Sequence, residues 1–121
     1  MPVSTRRSGS AYRKAAQQAS GFAIVGVAVS LRADGKGNCE EVGIGVTGLS
    51  DKPFRAHTTE NQLRKNKITS KLIEAASLHV TDGVDPLEDL HANARYRAHL
   101  ARVYAARALQ EAAKQALGRR A

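Results

Sequence analysis

The chain is poor in the residues that most often carry chemistry or staple small folds: among 121 residues there is no tryptophan, one cysteine, one methionine and three prolines, and aromatics make up 4%. A single cysteine, Cys39, rules out an intrachain disulfide. Its setting in DGKGNCEE fits a reducing compartment better than a secreted scaffold, and an incidental thiol better than a reactive one. The apolar run at residues 22–31 is about half the length of a membrane-spanning helix. Nothing behind Arg6 and Arg7 has the length of a signal sequence, so a soluble, cytoplasmic protein without membrane contact is expected.

Acidic residues are also scarce where basic ones gather. The net charge is +8 and the pI about 10.2. Residues 1–14 contain Arg6, Arg7, Arg13 and Lys14 with no acid, and residues 91–121 contain Arg95, Arg97, Arg102, Arg107, Lys114, Arg119 and Arg120 against Glu111 alone. Such basic ends invite an acidic partner or nucleic acid. Nucleic-acid modules expose aromatics or a recognition helix between their basic residues, and the few aromatics here (Phe22, Phe54, Tyr12, Tyr96, Tyr104) sit mostly where packing uses them, so nucleic acid is a disfavoured partner.

A chain of 12.9 kDa is one domain's worth of sequence and buries roughly 65% of its unfolded surface, enough for a core without metal or disulfide. Residues 1–10 are rich in Ser, Arg and Gly without periodicity and read as a flexible basic lead-in. The domain proper is expected over residues 11–117, with a basic tail at 118–121. Residues 22–31, FAIVGVAVSL, have both faces apolar and read as a strand covered on one side and largely shielded on the other. Asp34, Gly35, Gly37 and Asn38 close a hairpin. A second strand at 40–49 alternates Val42, Ile44, Val46 and Gly48 with Gly43, Gly45, Thr47 and Leu49, whose glycines leave room for a close neighbour. Pro53 restricts KPFRAHT to a short third strand or an edge segment.

From Thr58 onward alanine, leucine and long charged side chains replace valine and glycine, and helices are expected. A short one is read at 59–65 and a better one at 69–80, with Ile68, Leu72, Ala75, Ala76 and His79 on its inner face and Asn66 as a cap between them. Asp85 and Pro86 have the order of an N-cap and first helical residue. The longest helix is expected over 92–116, with Tyr96, Leu100, Val103 and Tyr104 as its apolar stripe. Arg107 interrupts that stripe, which predicts that the last turns leave the sheet. The fold class is therefore α+β, a small antiparallel sheet of about three strands packed on about three helices.

No catalytic or metal-binding constellation emerges. His57, His79, His91 and His99 lack ligand spacing. Glu40–Glu41 and Glu88–Asp89 read as solvated pairs or helix-start acids. The run from Gly43 to Gly48 lacks the glycine spacing and following helix of a nucleotide loop.

Three segments together, RRSGSAYRKAAQQASGFAIVGVAVSL, GIGVTGLSDKPFRA and VDPLEDLHANARYRAHLARVYAARAL, resemble the C-terminal domain of the FAD-binding medium subunit of the carbon monoxide dehydrogenase and xanthine dehydrogenase family of molybdenum hydroxylases. The resemblance implies a module of an oxidoreductase that is not catalytic alone. FAD would be held only together with a flavin domain, and the partners would be that domain, an iron-sulfur subunit and a molybdenum subunit. It also implies that the segment from Ser10 to Gln18 passes near the flavin, with Tyr12, Arg13 and Lys14 as the FAD-proximal residues; a cation there stabilises the negative charge of a reduced flavin. Tyr96–Arg97 matches an architectural motif. The basic Arg64-Lys65-Asn66-Lys67 stands where the family usually has a glycine-containing turn. The chain starts where the C-terminal domain starts, which is expected of a truncated product or a split subunit. The alternative is a free-standing interaction protein of the same fold that binds an acidic partner or nucleic acid through its basic ends.

Overall fold

The computed structural model describes residues 8–16, 23–50, 52–84 and 94–117. Four strands, β1 (Ser8–Ala16), β2 (Ala23–Ala33), β3 (Cys39–Thr47) and β4 (Phe54–Arg55), form an antiparallel sheet in sequence order, followed by helices α1 (His57–Leu63), α2 (Ser70–Ser77) and α3 (Ala94–Ala116). The α+β class is as the sequence leads one to expect, with one strand more among the described residues. The lead-in expectation stretches to residue 10, yet β1 is already paired at Ser8, which lies opposite Arg32. Residues 1–7 and 118–121 lie outside the described residues, as do Asp85 and Pro86.

Strand alternation sorts the sheet into two faces. Val25, Val27, Val29, Leu31 and Ala33 of β2 and Val42, Ile44 and Val46 of β3 point to one face and are buried with the inner sides of the helices. The other face of β2 is small rather than shielded: Ala28 and Ser30 are exposed, which corrects the expectation that this side is largely shielded. The β2–β3 turn is held by Asp34, whose Oδ1 accepts from the N–H groups of Lys36 and Asn38 at 2.8 and 3.0 Å. Those bonds hold its carboxyl below the usual carboxylate range. Gly37 takes φ +87° there, a backbone that L side chains rarely adopt.

The segment after α1 closes the end of this hairpin. Cys39 N–H donates to Asn66 O at 2.8 Å and Ile68 N–H to Gly37 O at 3.0 Å. Lys65 sits at φ +69° in the turn where glycine was the expected type. Burial of Cys39 pushes its thiol up to about 11, so the neutral thiol persists well above the pH at which an unfolded one ionises. This contribution to stability is complete below the unfolded pKa and is lost as pH rises through about 11. We expect Cys39 of the folded chain to react with a thiol reagent at pH 8 only as fast as the chain opens, and at once in denaturant; fast labelling of the native chain would contradict this burial.

Two helical faces differ from the sequence reading. On α2 the buried residues are Ile73, Ala76 and Ser77, continued by Val80, whereas Ala75 is exposed and Leu72 and His79 are half-buried. The buried face is centred one position away from the expected one, set by packing against α1, where Thr59 Oγ1 donates to Ala76 O at 2.8 Å. Thr69 caps α2, accepting from Leu72 N–H, and Asn66 bonds back to Gln62 O in the last turn of α1.

On α3 the inner stripe is alanine: Ala101, Ala105, Ala108, Ala112 and Ala116, flanked by Leu100, Leu109 and Ala113, are buried. Tyr96 is exposed, and Val103 and Tyr104 are half-buried. The last turns therefore stay on the sheet, and Arg107 is accommodated outside, stacked on Tyr104 at 5.3 Å. Counting only large apolar side chains misplaced this stripe, because a helix faced with alanine can lie close enough to a sheet to bury its own backbone. Arg97 ties the first turns to the β3–β4 connection, donating to Gly48 O at 2.7 Å.

The open sheet face as candidate functional site

With the described helices gathered on one side, the opposite face of the sheet is open. The strand register aligns Tyr12, Ala28, Gly45 and Arg55 in one row across the four strands, and Lys14, Gly26 and Thr47 in the next. The row on the covered side contains Arg13, Val27, Val46 and Phe54. Of the three residues expected near a cofactor, Tyr12 and Lys14 thus share the open face and Arg13 points the other way. Arg13 is engaged there, with Nε and Nη2 donating to Glu111 Oε1 at 3.1 and 2.6 Å. Both partners are about half exposed, and such a pair contributes at most about 1 kcal/mol.

Helix α3 grips the back of β1 along this stretch. The carboxamide of Gln115 accepts from Ser10 N–H at 3.0 Å and donates to Ser10 O at 2.9 Å, so a side chain stands in for a further strand on this edge. At Gly9 the two backbones meet, and a methyl group built there would fall 1.9 Å from Ala112 O.

The open face contains a hollow of about 320 Å³ bordered by Tyr12, Thr47, Pro53 and Arg55 and floored by Gly26, Ala28 and Gly45. Tyr12 leans over Gly26 towards Thr47, with its hydroxyl 2.6 Å from where a Gly26 side chain would begin. At Gly45 nothing lies within 4 Å of that position. Glycine weakens a strand interior by roughly 0.5–1 kcal/mol relative to alanine, so the floor sacrifices some stability for depth.

At the far edge, Glu60 is 1% exposed. Its Oε2 accepts from Ile44 N–H at 2.8 Å and Arg55 Nε at 3.0 Å, and its Oε1 accepts from Arg55 Nη2 at 2.8 Å. His57 and Arg64 lie within 4 Å of the same carboxylate. The remaining candidates do not converge: His79 pairs with Asp82, His91 is outside the described residues, and no group of three metal-ligating side chains forms among the described residues.

The description "CO dehydrogenase flavoprotein C-terminal domain" matches residues 10–112. The chain belongs to this family. Among curated relatives, this flavoprotein C-terminal domain is 30% identical over 116 residues to the 6-hydroxypseudooxynicotine dehydrogenase complex subunit alpha of Paenarthrobacter nicotinovorans, covering 96% of the chain and 39% of the relative. It is 26% identical over 102 residues to the glyceraldehyde dehydrogenase medium chain of Sulfolobus acidocaldarius, covering 84% and 36%. Among solved structures it superposes on carbon monoxide dehydrogenase from Hydrogenophaga pseudoflava with a TM-score of 0.83 at 28% identity, over 90% of this chain and 38% of that one. The chain thus spans between a third and two fifths of the length of these proteins. It corresponds to the C-terminal part of the FAD-binding subunit of molybdenum hydroxylases. Nothing in these comparisons favours the free-standing acid-binding alternative.

Sequence reasoning passed over Gly26, Thr47, Glu111 and Gln115, which surround or brace the residues it named. One signal was available: alternation along residues 9–14, read as a strand, separates Tyr12 and Lys14 from Arg13.

Proposed function

We propose that this domain serves as the C-terminal module of a FAD-containing subunit of a molybdenum hydroxylase-type oxidoreductase, and that its open sheet face meets the flavin-binding part. The observation that carries the reading is the exposed pair Tyr12 and Lys14, set side by side on the uncovered face beside a glycine-floored hollow. These residues fit the group: an aromatic ring and an exposed ammonium next to bare backbone admit a flat, anionic-when-reduced ring system. FAD, when bound, supplies the redox chemistry. Lys14 contributes positive charge towards it, Tyr12 provides a surface for it, and Arg13 acts from behind the strand through Glu111. An iron-sulfur subunit and a molybdenum subunit complete the assembly, in the cytoplasm; among the described residues no helix is long and apolar enough to cross a membrane. The domain does not catalyse alone.

The test is purification of the tagged chain from its host, with mass spectrometry and a visible spectrum of what accompanies it. Flavin and iron-sulfur absorption are expected in the eluate, and Lys14→Ala is expected to slow flavin reduction roughly tenfold, equivalent to about 1.4 kcal/mol. A colourless eluate, or a Lys14→Ala complex reduced at the wild-type rate, would overturn the respective part of the reading.

A further inference from the structure

Three glycines, Gly26, Gly43 and Gly45, interrupt the open face of β2 and β3, and they are not equivalent. A methyl group at Gly45 meets nothing within 4 Å, and one at Gly43 meets only Arg55 Nη2 at 3.7 Å. At Gly26 it would lie 2.6 Å from Tyr12 Oη, 3.2 Å from Tyr12 Cζ and 2.9 Å from Thr47 Oγ1. Tyr12 starts opposite Ala28, crosses β2 over the bare Gly26 backbone and ends beside Thr47, whose hydroxyl donates to Gly26 O at 3.5 Å. Behind the strand, the Gln115 carboxamide and the Arg13–Glu111 pair fix the height of β1. The strand is therefore set by α3, whereas the tilt of the phenol is set by the missing side chain on β2.

We propose that Gly26 is a positioning residue for Tyr12: by having no side chain it lets the phenol lie low across the sheet, and so sets the distance and angle at which Tyr12 meets the flavin-binding part. The second half of this statement rests on the proposed function; the first half does not. The atoms a methyl group would strike belong to the far end of a half-exposed tyrosine, 56% exposed as a residue, and to a threonine hydroxyl. Alanine at position 26 is therefore accommodated by Tyr12 swinging outward, without a shift of the sheet. Gly45→Ala adds the same methyl group to the same face without touching Tyr12 and is the matched control.

The isotope-labelled full chain provides the first readout, the ring-current shift that the Tyr12 phenol imposes on the Thr47 methyl resonance. Gly26→Ala is expected to remove that shift to the extent Tyr12→Leu does, with a melting temperature at or above wild type, and in a Tyr12→Leu background to leave only the small change that its own methyl group, 2.9 Å from Thr47 Oγ1, imposes on Thr47. Gly45→Ala is expected to leave the shift in place. An unchanged Thr47 resonance in Gly26→Ala, or an equal effect of Gly45→Ala, overturns the positioning role. The second readout is the flavin midpoint potential of the assembled complex, which Gly26→Ala and Tyr12→Leu are expected to move in the same direction and Gly45→Ala to leave alone. A displaced phenol with an unmoved potential overturns the consequence for the flavin. If no flavin-containing complex forms, the proposed function fails, and the resonance comparison still decides whether Gly26 positions Tyr12.

Discussion

Gly9→Ala is expected to lower the unfolding free energy by about 3 kcal/mol, at the upper end of the usual range for overpacking. The added methyl group would fall 1.9 Å from Ala112 O, 2.8 Å from Ala112 C and 2.9 Å from Gln115 Cβ. Two of those atoms are helix backbone and have no rotamer to escape into, so α3 must lift from β1 or the strand must bend. Either movement loosens the contact of Ala108, Leu109 and Ala112 with the sheet, all of which are buried without residual exposure. Alanine also restricts the unfolded chain, which offsets the loss by only about 0.5 kcal/mol. Urea unfolding of the full chain checks this: the midpoint falls at unchanged slope for Gly9→Ala and stays at or above wild type for Gly45→Ala. A wild-type midpoint for Gly9→Ala would mean that α3 does not lie on β1.

Glu60→Ala has an effect of similar size for a different reason. Strand β4 is two residues long, so β3 soon runs out of backbone partners on that side. Ala56 N–H still reaches Ile44 O at 2.9 Å, but Ile44 N–H is satisfied by the Glu60 carboxylate. Truncation leaves a buried N–H without an acceptor, roughly 1–3 kcal/mol, and removes the fork with Arg55. Arg55 itself has a side chain 56% exposed and regains water, so that part of the loss is partly compensated. A total of about 3 kcal/mol corresponds to a melting temperature lower by about 10 °C for a chain of this size. Glu60→Gln, which keeps an oxygen for Ile44 N–H while losing the charge, is expected to fall between the two. If Glu60→Gln were as destabilising as Glu60→Ala, the charge rather than the strand-capping bond would dominate.

The parts of the fold that were legible share one property, a strong local pattern. The β2–β3 hairpin has apolar residues in period two with Asp34, Gly37 and Asn38 between them, and the alanine- and leucine-rich second half can hardly be anything but helix. Strand β1 was not legible, because SGSAYRKAA shows no apolar alternation; it is a strand because β2 offers it an unpaired edge and α3 covers its back. The candidate site was legible in name only. Resemblance singled out Tyr12, Arg13 and Lys14 as a group, and only the pairing of β1 with β2 shows that Arg13 faces the helix while its neighbours face outward.

What the sequence by itself determined is the class of the molecule: an α+β fold, and a family membership carried by motifs spread over most of its length. The fold class follows from composition and local periodicity and the family from its motifs, and neither depends on distant contacts. Tertiary structure alone decided which face of each element is used. Small residues leave that choice open, since alanine and glycine have little preference of their own between core and solvent. The alanine stripe of α3, the touching backbones at Gly9 and the bed for Tyr12 at Gly26 exist only once residues far apart in the chain are brought within contact distance.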